Sequence, residues 1–279
     1  MRLLEYAKNI YSQTGEDGVL SKILDMLGTR DRWCVEFGAW DGQHLSNTFS
    51  LIQNSGYSGV LIEGSRKRYE DLLKRFGSNS KVIALNSFVG FKSDDGLDKL
   101  LVDTPIPKDF DLLSIDIDGN DYHVWDAVSS YFPKVVCVEF NPSIPTEVDF
   151  IQVADRDVSQ GASLLAFVRL GTRKGYELVA VTSFNAIFVR SEYFSLFGIT
   201  DNSPRTLRED ISCVTHVFCG FDGTVFFRGS EHLPYHGIKY AGRIRPLPKL
   251  FRRYPGNFGP LTSKLFGVYR KFSRMVGRA

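Results

Sequence analysis

Short, nearly continuous apolar runs alternate with amphipathic segments along the first 190 residues of the chain. Runs without polar alternation are typical of strands in a parallel sheet that is covered on both faces. The segments between them repeat their apolar positions at helical spacing. This pattern predicts strands at 33–37, 58–64, 81–86, 111–117 and 134–140, and helices at 15–28, 44–55, 65–76, 94–102 and 121–131.

The alternation changes after the fifth predicted strand. A loop-like segment at 141–161 and a helix at about 162–174 precede two strands, 176–183 and 185–191, with almost nothing between them. Strands this close form a hairpin, so we expect one antiparallel edge on the sheet. The whole pattern predicts a doubly wound, mostly parallel α/β sheet of Rossmann-like type.

The pattern weakens beyond residue 195. We therefore expect an α/β domain at 1–195 and a C-terminal extension at 196–279, with a hairpin at 213–229. Helical spacing returns at 261–276, where apolar side chains share one face and basic residues interleave with them. The apolar positions are Leu261, Leu265, Val268, Phe272 and Met275, and the basic ones are Lys264, Lys271, Arg274 and Arg278.

The composition excludes several classes of protein. Of the 279 residues, 43% are hydrophobic and 24% are charged, which excludes a collagen-like, a wholly disordered or a coiled-coil chain. No apolar run approaches the roughly 20 residues of a spanning helix, and the N-terminal residues lack the apolar core of a secretory signal. The four cysteines have no CxxC spacing, so we expect buried thiols in a reducing compartment and a cytoplasmic protein.

The net charge of +2 conceals a strong asymmetry. From residue 238 to the end there are 11 basic residues and no acidic ones, which leaves residues 1–237 with 23 basic against 32 acidic residues, a net charge of −9. Such a tail can lie on an anionic membrane surface, bind a polyanion, or pack on the acidic body. We favour the membrane surface and place nucleic acid last, because no recognition module accompanies the charge.

The first predicted strand runs into a glycine turn, Glu36-Phe37-Gly38-Ala39-Trp40-Asp41-Gly42. Glycines at such a turn let the backbone approach a ligand, and the lack of GxGxxG disfavours a dinucleotide site. Glu63 ends the second strand, where a carboxylate can accept both hydroxyls of a ribose. A ligand-free turn and a surface glutamate are the alternatives, but the pair Gly38 and Glu63 favours an adenosine cofactor.

The densest polar cluster, from Asp116 to His123, follows the fourth predicted strand. The two-residue period of a strand places Asp116 and Asp118 on one side, and likewise Glu139 and Asn141 after the fifth strand. Their oxygen atoms are the ligands that Mg²⁺ or Mn²⁺ prefers.

Asp121 and His123 lie one turn further on and could deprotonate a substrate hydroxyl. The alternative is a capping cluster, in which Asp118 or Asn120 serves the helix that follows. Gln13 is a candidate pocket residue, whereas Glu16 and Asp17 also suit the first turn of a helix.

These motifs carry a resemblance. The run from Glu36 to Gly42 resembles the glycine motif of the FkbM-type methyltransferases, a class I family that methylates sugar and polyketide hydroxyls. The segment 11–17, YSQTGED, is similar to the family's SQ-x-GED segment, and 114–119, SIDIDG, is similar to its K-I-D-V-E-G. The resemblance covers about residues 10–190 and implies the class I methyltransferase fold.

The resemblance implies S-adenosylmethionine as cofactor. Its methionyl part would lie along the glycine turn, its ribose on Glu63, and its reacting methyl group beside Asp116. With Gln13 included, the expected cofactor site comprises Gln13, Glu36, Gly38, Ala39, Gly42, Glu63, Ser87 and Asp116. Related sugar methyltransferases hold Mg²⁺ at the ends of strands four and five, which points to Asp116, Asp118, Glu139 and Asn141 here.

The expected activity is methyl transfer from S-adenosylmethionine to a hydroxyl, of a sugar in a glycan or glycolipid. Asp121 or His123 would take the proton, and Asp116 would complete the catalytic set. A non-catalytic module that binds a nucleotide or glycan, and a metal-dependent phosphohydrolase, are the alternatives. The sequence leaves a homo-oligomer open.

Overall fold

The computed structural model describes residues 1–28, 31–232, 238–239, 243–244 and 247–276. The contacts divide the chain into two units, Met1–Ile211 and Ser212–Ala279, so residues 196–211 belong to the first unit. Some residues of the basic tail, including Arg245 and Arg278, fall between or beyond these described ranges and so lie outside the described residues.

The first unit contains a seven-stranded sheet with the order β3-β2-β1-β4-β5-β7-β6. Neighbours from β3 to β5 pair in parallel, and β7 is antiparallel to both β5 and β6. The predicted doubly wound α/β fold with an antiparallel edge is therefore confirmed. The strands are β1 Trp33–Phe37, β2 Ser58–Glu63, β3 Val82–Asn86, β4 Leu112–Ile115, β5 Val135–Glu139, β6 Tyr176–Val181 and β7 Asn185–Arg190.

Helices cover both faces of this sheet. Alternate residues of β1, β2 and β5 enter two separate apolar clusters, as the two-residue period of a strand requires. One cluster includes side chains of α1, α2 and α3, and the other includes side chains of α4, α5 and α6. The helices are α1 Glu16–Leu27, α2 Phe49–Asn54, α3 Arg66–Phe76, α4 Leu97–Leu101, α5 Asp121–Ala127, α6 Leu164–Arg173 and α7 Pro204–Leu207.

Three helices are several residues shorter than their sequence patterns predict. Helix α4 begins at Leu97, whereas the pattern places its start at residue 94. Residues 44–48 remain outside α2 because the segment around Asn47 turns inward to bind a buried glutamate of β1. Helix α5 ends at Ala127, since the backbone N–H groups of Ser129 and Ser130 donate to the Asp98 carboxylate instead of continuing the helix.

The second unit contains an antiparallel sheet, β8 Thr215–Cys219, β9 Val225–Gly229 and β10 Arg243–Ile244, followed by α8 Pro260–Val276. The hairpin expected at 213–229 and the helix expected at 261–276 are both present. Cys34 and Cys137 are buried and free as expected, but Cys219 is exposed because β8 presents most of its side chains to solvent. None of the described helices combines the length and apolar character that crossing a bilayer requires.

Candidate functional site

The candidate site lies where the order of the strands reverses. The chain leaves β3 at one edge of the sheet and re-enters it as β4, which pairs with β1 on the side opposite to β2. In open α/β sheets, ligands bind beyond the carboxyl ends of the strands at such a switch point. Polar residues follow β1, β2, β4 and β5 at this edge, which places the predicted glycine turn, Glu63 and the acidic cluster together.

Gly38 lets the loops after β1 and β4 touch. An ideal Cβ at this position would lie 1.8 Å from the carbonyl oxygen of Asp116, and the φ angle is +75°. Only glycine fits, because a side chain would clash with a backbone atom and strain the backbone as well. Gly38 is otherwise exposed, so its backbone is open to a ligand. Gly42 is required for packing instead, since its Cβ would lie 2.6 Å from the ring of Phe76.

Glu36 points into the protein and organises the loop before α2. Its carboxylate accepts hydrogen bonds from the Ser46 hydroxyl at 2.6 Å, the Asn47 backbone N–H at 2.8 Å and the Thr48 hydroxyl at 2.7 Å. Burial raises the pKa of Glu36, although these donors act in the opposite direction. Glu36 therefore anchors the loop before α2 to the end of β1, and its oxygens are taken up by that loop.

Glu63 ties the end of β2 to the glycine turn. One carboxylate oxygen accepts from the Trp40 backbone N–H at 2.8 Å and the other accepts from the Ser65 N–H at 2.7 Å. The Ala39 N–H donates to the carbonyl of Ile62 and reinforces the same junction. A carboxylate has about four lone-pair positions, so Glu63 keeps two for a ligand.

Ser87 follows β3 beside this junction. Its backbone N–H donates to the Glu63 carbonyl at 3.2 Å, and its hydroxyl donates to the carbonyl of Phe88. The Phe88 ring is 71% exposed and lies over Gly64, whose ideal Cβ would be 2.4 Å from the ring. Phe88 was not among the residues predicted for the site, and its exposed ring against a glycine offers a flat apolar surface next to Glu63.

Asp116 is the least satisfied carboxylate of the site. It is partly buried, and no described residue makes a hydrogen bond to its carboxylate. Burial is the main cause that raises the pKa of Asp116 to about 8, and the neighbouring carboxylates of Asp121 and Asp118 add to it. A group in this state favours a ligand that brings either positive charge or a proton donor.

Asp121 has a structural task that differs from the predicted catalytic one. Its two carboxylate oxygens accept from the backbone N–H groups of Ile117 and Gly119, both at 2.8 Å, and the side chain is buried. This clamp holds Asp118 at a φ angle of +57°, in the left-handed region. The capping expected of Asp118 or Asn120 is not formed, because α5 begins after Asn120 without a side-chain cap. Asp121 instead ties together the turn that precedes the helix, and this structural role accounts for its burial.

His123 is held by the long loop that follows β5. Its Nε2 lies 2.8 Å from the backbone carbonyl oxygen of Gln152. A carbonyl can only accept, so Nε2 carries the hydrogen and the neutral ring keeps an electron pair on Nδ1. The ring also packs 5.6 Å from that of Phe91, in the loop after β3. His123 thus lies between two loops at the carboxyl edge with one nitrogen able to accept a proton.

Two buried polar residues, neither of them identified in the sequence analysis, fix the loop at 141–161. The Gln152 side chain donates to Asn120 Oδ1 and the Val158 carbonyl, and accepts the N–H groups of Gln160 and Gly161.

The second, Arg208, is buried over the Phe140 ring and donates to the carbonyls of Pro142 at 2.6 Å and Ile144 at 2.8 Å. The length of the loop was the one sequence feature that could have predicted such residues. A segment of about 20 residues without secondary structure needs side-chain hydrogen bonds to hold it in place.

The N-terminal segment closes the same edge. Asp17 Oδ2 accepts from three consecutive backbone N–H groups, of Ile10, Tyr11 and Ser12, which folds the segment back over α1. Glu16 is buried and binds Thr14 and, across the sheet, the Thr182 hydroxyl at the β6–β7 turn.

Burial by itself would raise the pKa of Glu16, but these hydrogen bonds outweigh it and lower the pKa. Gln13 precedes the two acids and is partly exposed, and its side chain makes no hydrogen bond with the described residues.

Three of the four predicted metal ligands come together. Asp116, Asp118 and Glu139 place carboxylate oxygens within 4.8 Å of one another. Asn141 does not join them: its Oδ1 accepts from the N–H and hydroxyl of Ser143, and its Nδ2 donates to the Gln160 carbonyl at 2.6 Å. Asn141 is therefore a loop residue, because its whole amide is used within the segment that follows β5.

Comparison with known proteins adds a set of distant structural similarities. No family model and no curated protein sequence matches the chain. The CMeT domain of the citrinin polyketide synthase is similar at 14% identity and a TM-score of 0.43, over 65% of this chain and 54% of that domain. A SAM-dependent methyltransferase from Aquifex aeolicus is similar at 11% identity and a TM-score of 0.38, over 66% of this chain and 89% of that one.

The N-terminal domain of EvdMO1, a structure determined in the presence of SAH and D-fucose, is similar at 11% identity and a TM-score of 0.40, over 67% of this chain and 91% of that one. The chain thus spans about half the length of the polyketide synthase structure. Because these TM-scores are low, we define the fold by the strand order of this chain. The assignment of a function rests on the residues of the site. The resemblance to the FkbM-type family stays a prediction.

Proposed function

We propose that the protein is an S-adenosylmethionine-dependent methyltransferase that methylates a hydroxyl, of a sugar in a glycan or glycolipid. The observation that carries the proposal is the crevice at the switch point, where the exposed backbone of Gly38 rests on the loop of Asp116. Glu63 closes the same edge from β2. An adenosine-containing ligand needs this combination of a bare backbone turn and an acidic strand end.

The residues present fit the cofactor. Glu63 keeps two acceptor positions for the ribose hydroxyls, and Phe88 offers an apolar surface for a flat ring beside it. The carboxylate of Asp116 has no internal donor and suits the positive charge of a sulfonium group. When bound, S-adenosylmethionine supplies the electrophilic methyl group.

His123 is the better candidate for the base. Its Nε2–H is fixed on the Gln152 carbonyl, so Nδ1 is the atom that takes the proton of the acceptor hydroxyl. Asp121 holds the turn that carries Asp118 and so positions the acidic cluster. Holding the acceptor and the methyl donor in line supplies much of the acceleration in a displacement of this kind.

A divalent cation fits three of these carboxylates. Asp116, Asp118 and Glu139 would hold Mg²⁺ or Mn²⁺, and the cation would lower the pKa of a bound hydroxyl. Three acidic groups this close repel one another, and a cation relieves that repulsion. Titration of Mn²⁺ into the wild-type protein and into Asp118→Asn tests the site, and equal affinities in the two would contradict it.

Titration calorimetry with S-adenosylhomocysteine tests the cofactor. We expect saturable binding by the wild type, and a loss of about 100-fold in Glu63→Ala, since two hydrogen bonds to a charged group contribute roughly 1.5 kcal/mol each. Glu70→Ala is the matched control, because this exposed glutamate of α3 pairs only with Arg66 on the surface. Thermal unfolding of each variant shows whether it is folded. A wild-type protein that does not bind S-adenosylhomocysteine would refute the proposal and favour the binding-module alternative.

A further inference from the structure

Helix α8 has two different faces. Phe266 and Tyr269 are half-buried and pack on Phe251, with ring centroids 5.4 Å and 5.3 Å apart. Phe258 also contacts Phe266, with ring centroids 5.3 Å apart. These four rings form an aromatic cluster that packs the helix against the rest of its own unit. This aromatic cluster buries only one side of the helix.

A second face of α8 carries large apolar side chains in solvent. At about 100° per residue, these positions fall within an arc of roughly 80°. We call this face the apolar stripe. It consists of Leu261, Leu265, Val268, Phe272 and Met275, which are between 45% and 72% exposed.

Positive charge accompanies the apolar stripe. Lys264 and Lys271 project about 20° and about 40° from its nearer margin, and Arg270 and Arg274 lie further round the helix. All four are exposed, and none of them makes an ion pair with a described residue. From residue 232 to the end the sequence contains no aspartate or glutamate, so this charge has no acidic counterpart within the tail.

We propose that α8 docks on an anionic lipid surface. A helix with an exposed apolar face beside a row of lysines lies in the membrane interface, with the apolar side chains among the acyl chains and the ammonium groups at the headgroups. Nucleic acid would pair with the cations but would leave the apolar stripe in water. The inference is independent of the methyl transfer proposed above.

Co-flotation of the full chain with vesicles tests the docking. We expect the protein to bind vesicles that contain roughly one third phosphatidylserine and not to bind phosphatidylcholine alone, since each lysine near such a surface strengthens binding about fivefold. Lys264→Gln with Lys271→Gln therefore weakens binding about 25-fold. Val268→Ser with Phe272→Ser weakens it at least tenfold, with the charge unchanged.

Lys99→Gln with Lys108→Gln is the matched control. Their substitution removes the same amount of charge from exposed positions of the first unit, and we expect it to change binding less than about twofold because neither lysine belongs to α8. Circular dichroism of every variant tests whether the helix is retained. Three results would overturn the docking: equal losses in the two lysine pairs, unchanged binding in the Val268 and Phe272 variant, or full displacement of the vesicles by poly(U).

A dimer is the remaining occupant that the test must separate. Light scattering after gel filtration, with and without Val268→Ser and Phe272→Ser, measures it. A wild-type dimer that becomes a monomer in this variant, together with no binding to phosphatidylserine vesicles, would assign the apolar stripe to a second copy of the chain and refute the lipid surface.

Discussion

Replacing Gly38 by alanine tests whether the contact between the loops after β1 and β4 builds the candidate site. The new Cβ would lie 1.8 Å from the carbonyl oxygen of Asp116, a separation that both backbones must move to relieve. The substitution also places an L-residue at a φ angle of +75°. The two effects act at the point where the cofactor would approach the backbone.

The expected loss follows from these two contributions. A left-handed conformation costs about 1–2 kcal/mol, and forcing an atom into a packed contact costs about 1–3 kcal/mol more. We therefore expect Gly38→Ala to lower the free energy of unfolding by about 2–5 kcal/mol. Gly175 has nearly the same φ angle, +81°, and no atom within 4 Å of its ideal Cβ. Gly175→Ala should thus show the first contribution alone.

Urea unfolding measures both variants against the wild type, with the fluorescence of the buried Trp125 as the signal. The difference between the two losses isolates the contact with the Asp116 carbonyl and should exceed about 1 kcal/mol. Calorimetry with S-adenosylhomocysteine should show weakened binding in Gly38→Ala only. Equal losses in the two variants would refute the reading that this contact shapes the site.

Three further predictions concern the groups that position the site. Asp121→Asn should lower the free energy of unfolding by about 1–3 kcal/mol in urea, because one buried backbone N–H loses its acceptor; an unchanged value would return Asp121 to the role of a free base. Arg208→Met should make the 141–161 loop sensitive to limited proteolysis, and a cleavage rate equal to that of the wild type would contradict the clamp. The pKa of Glu16 is lower in the folded protein than its ordinary value of 4.5. Ionised Glu16 therefore contributes fully to the free energy of unfolding above that pH, and this contribution is lost as the pH falls through the lower folded pKa. Unfolding in urea across this acid range should therefore show a smaller pH dependence in Glu16→Gln, and equal slopes would exclude the contribution.

The polar residues at the carboxyl edge have two different roles: some hold loops in place, and others are available to a ligand. Glu36, Glu16 and Asp121 accept only from groups of the protein and hold loops in place. Glu63 also holds a loop in place, through one hydrogen bond on each oxygen, whereas no residue that the structure describes donates to the Asp116 carboxylate. We base the proposed function on Gly38, Glu63 and Asp116 together because they lie at the carboxyl ends of β1, β2 and β4, where ligands bind in sheets of this kind.

Local patterns along the chain were sufficient to predict the strands and most of the helices of the first unit. Continuous apolar runs and helical periodicity depend only on neighbours along the chain, and burial of the sheet on both faces selects for them. The positions of the glycine turn and the acidic cluster could be predicted for the same reason, since each lies within a few residues of a strand end. The hairpin at β6 and β7 followed from the short spacing of two apolar runs.

Which carboxylates accept hydrogen bonds from the protein depends on how distant segments fold together. Asp116 and Asp121 are five positions apart and read alike in the sequence, yet two backbone N–H groups meet Asp121 and none meets Asp116. Arg208 reaches the loop after β5 from more than 60 residues away along the chain. A hydrogen bond depends on where donors arrive in space, and the folding of distant segments onto one sheet edge sets those positions.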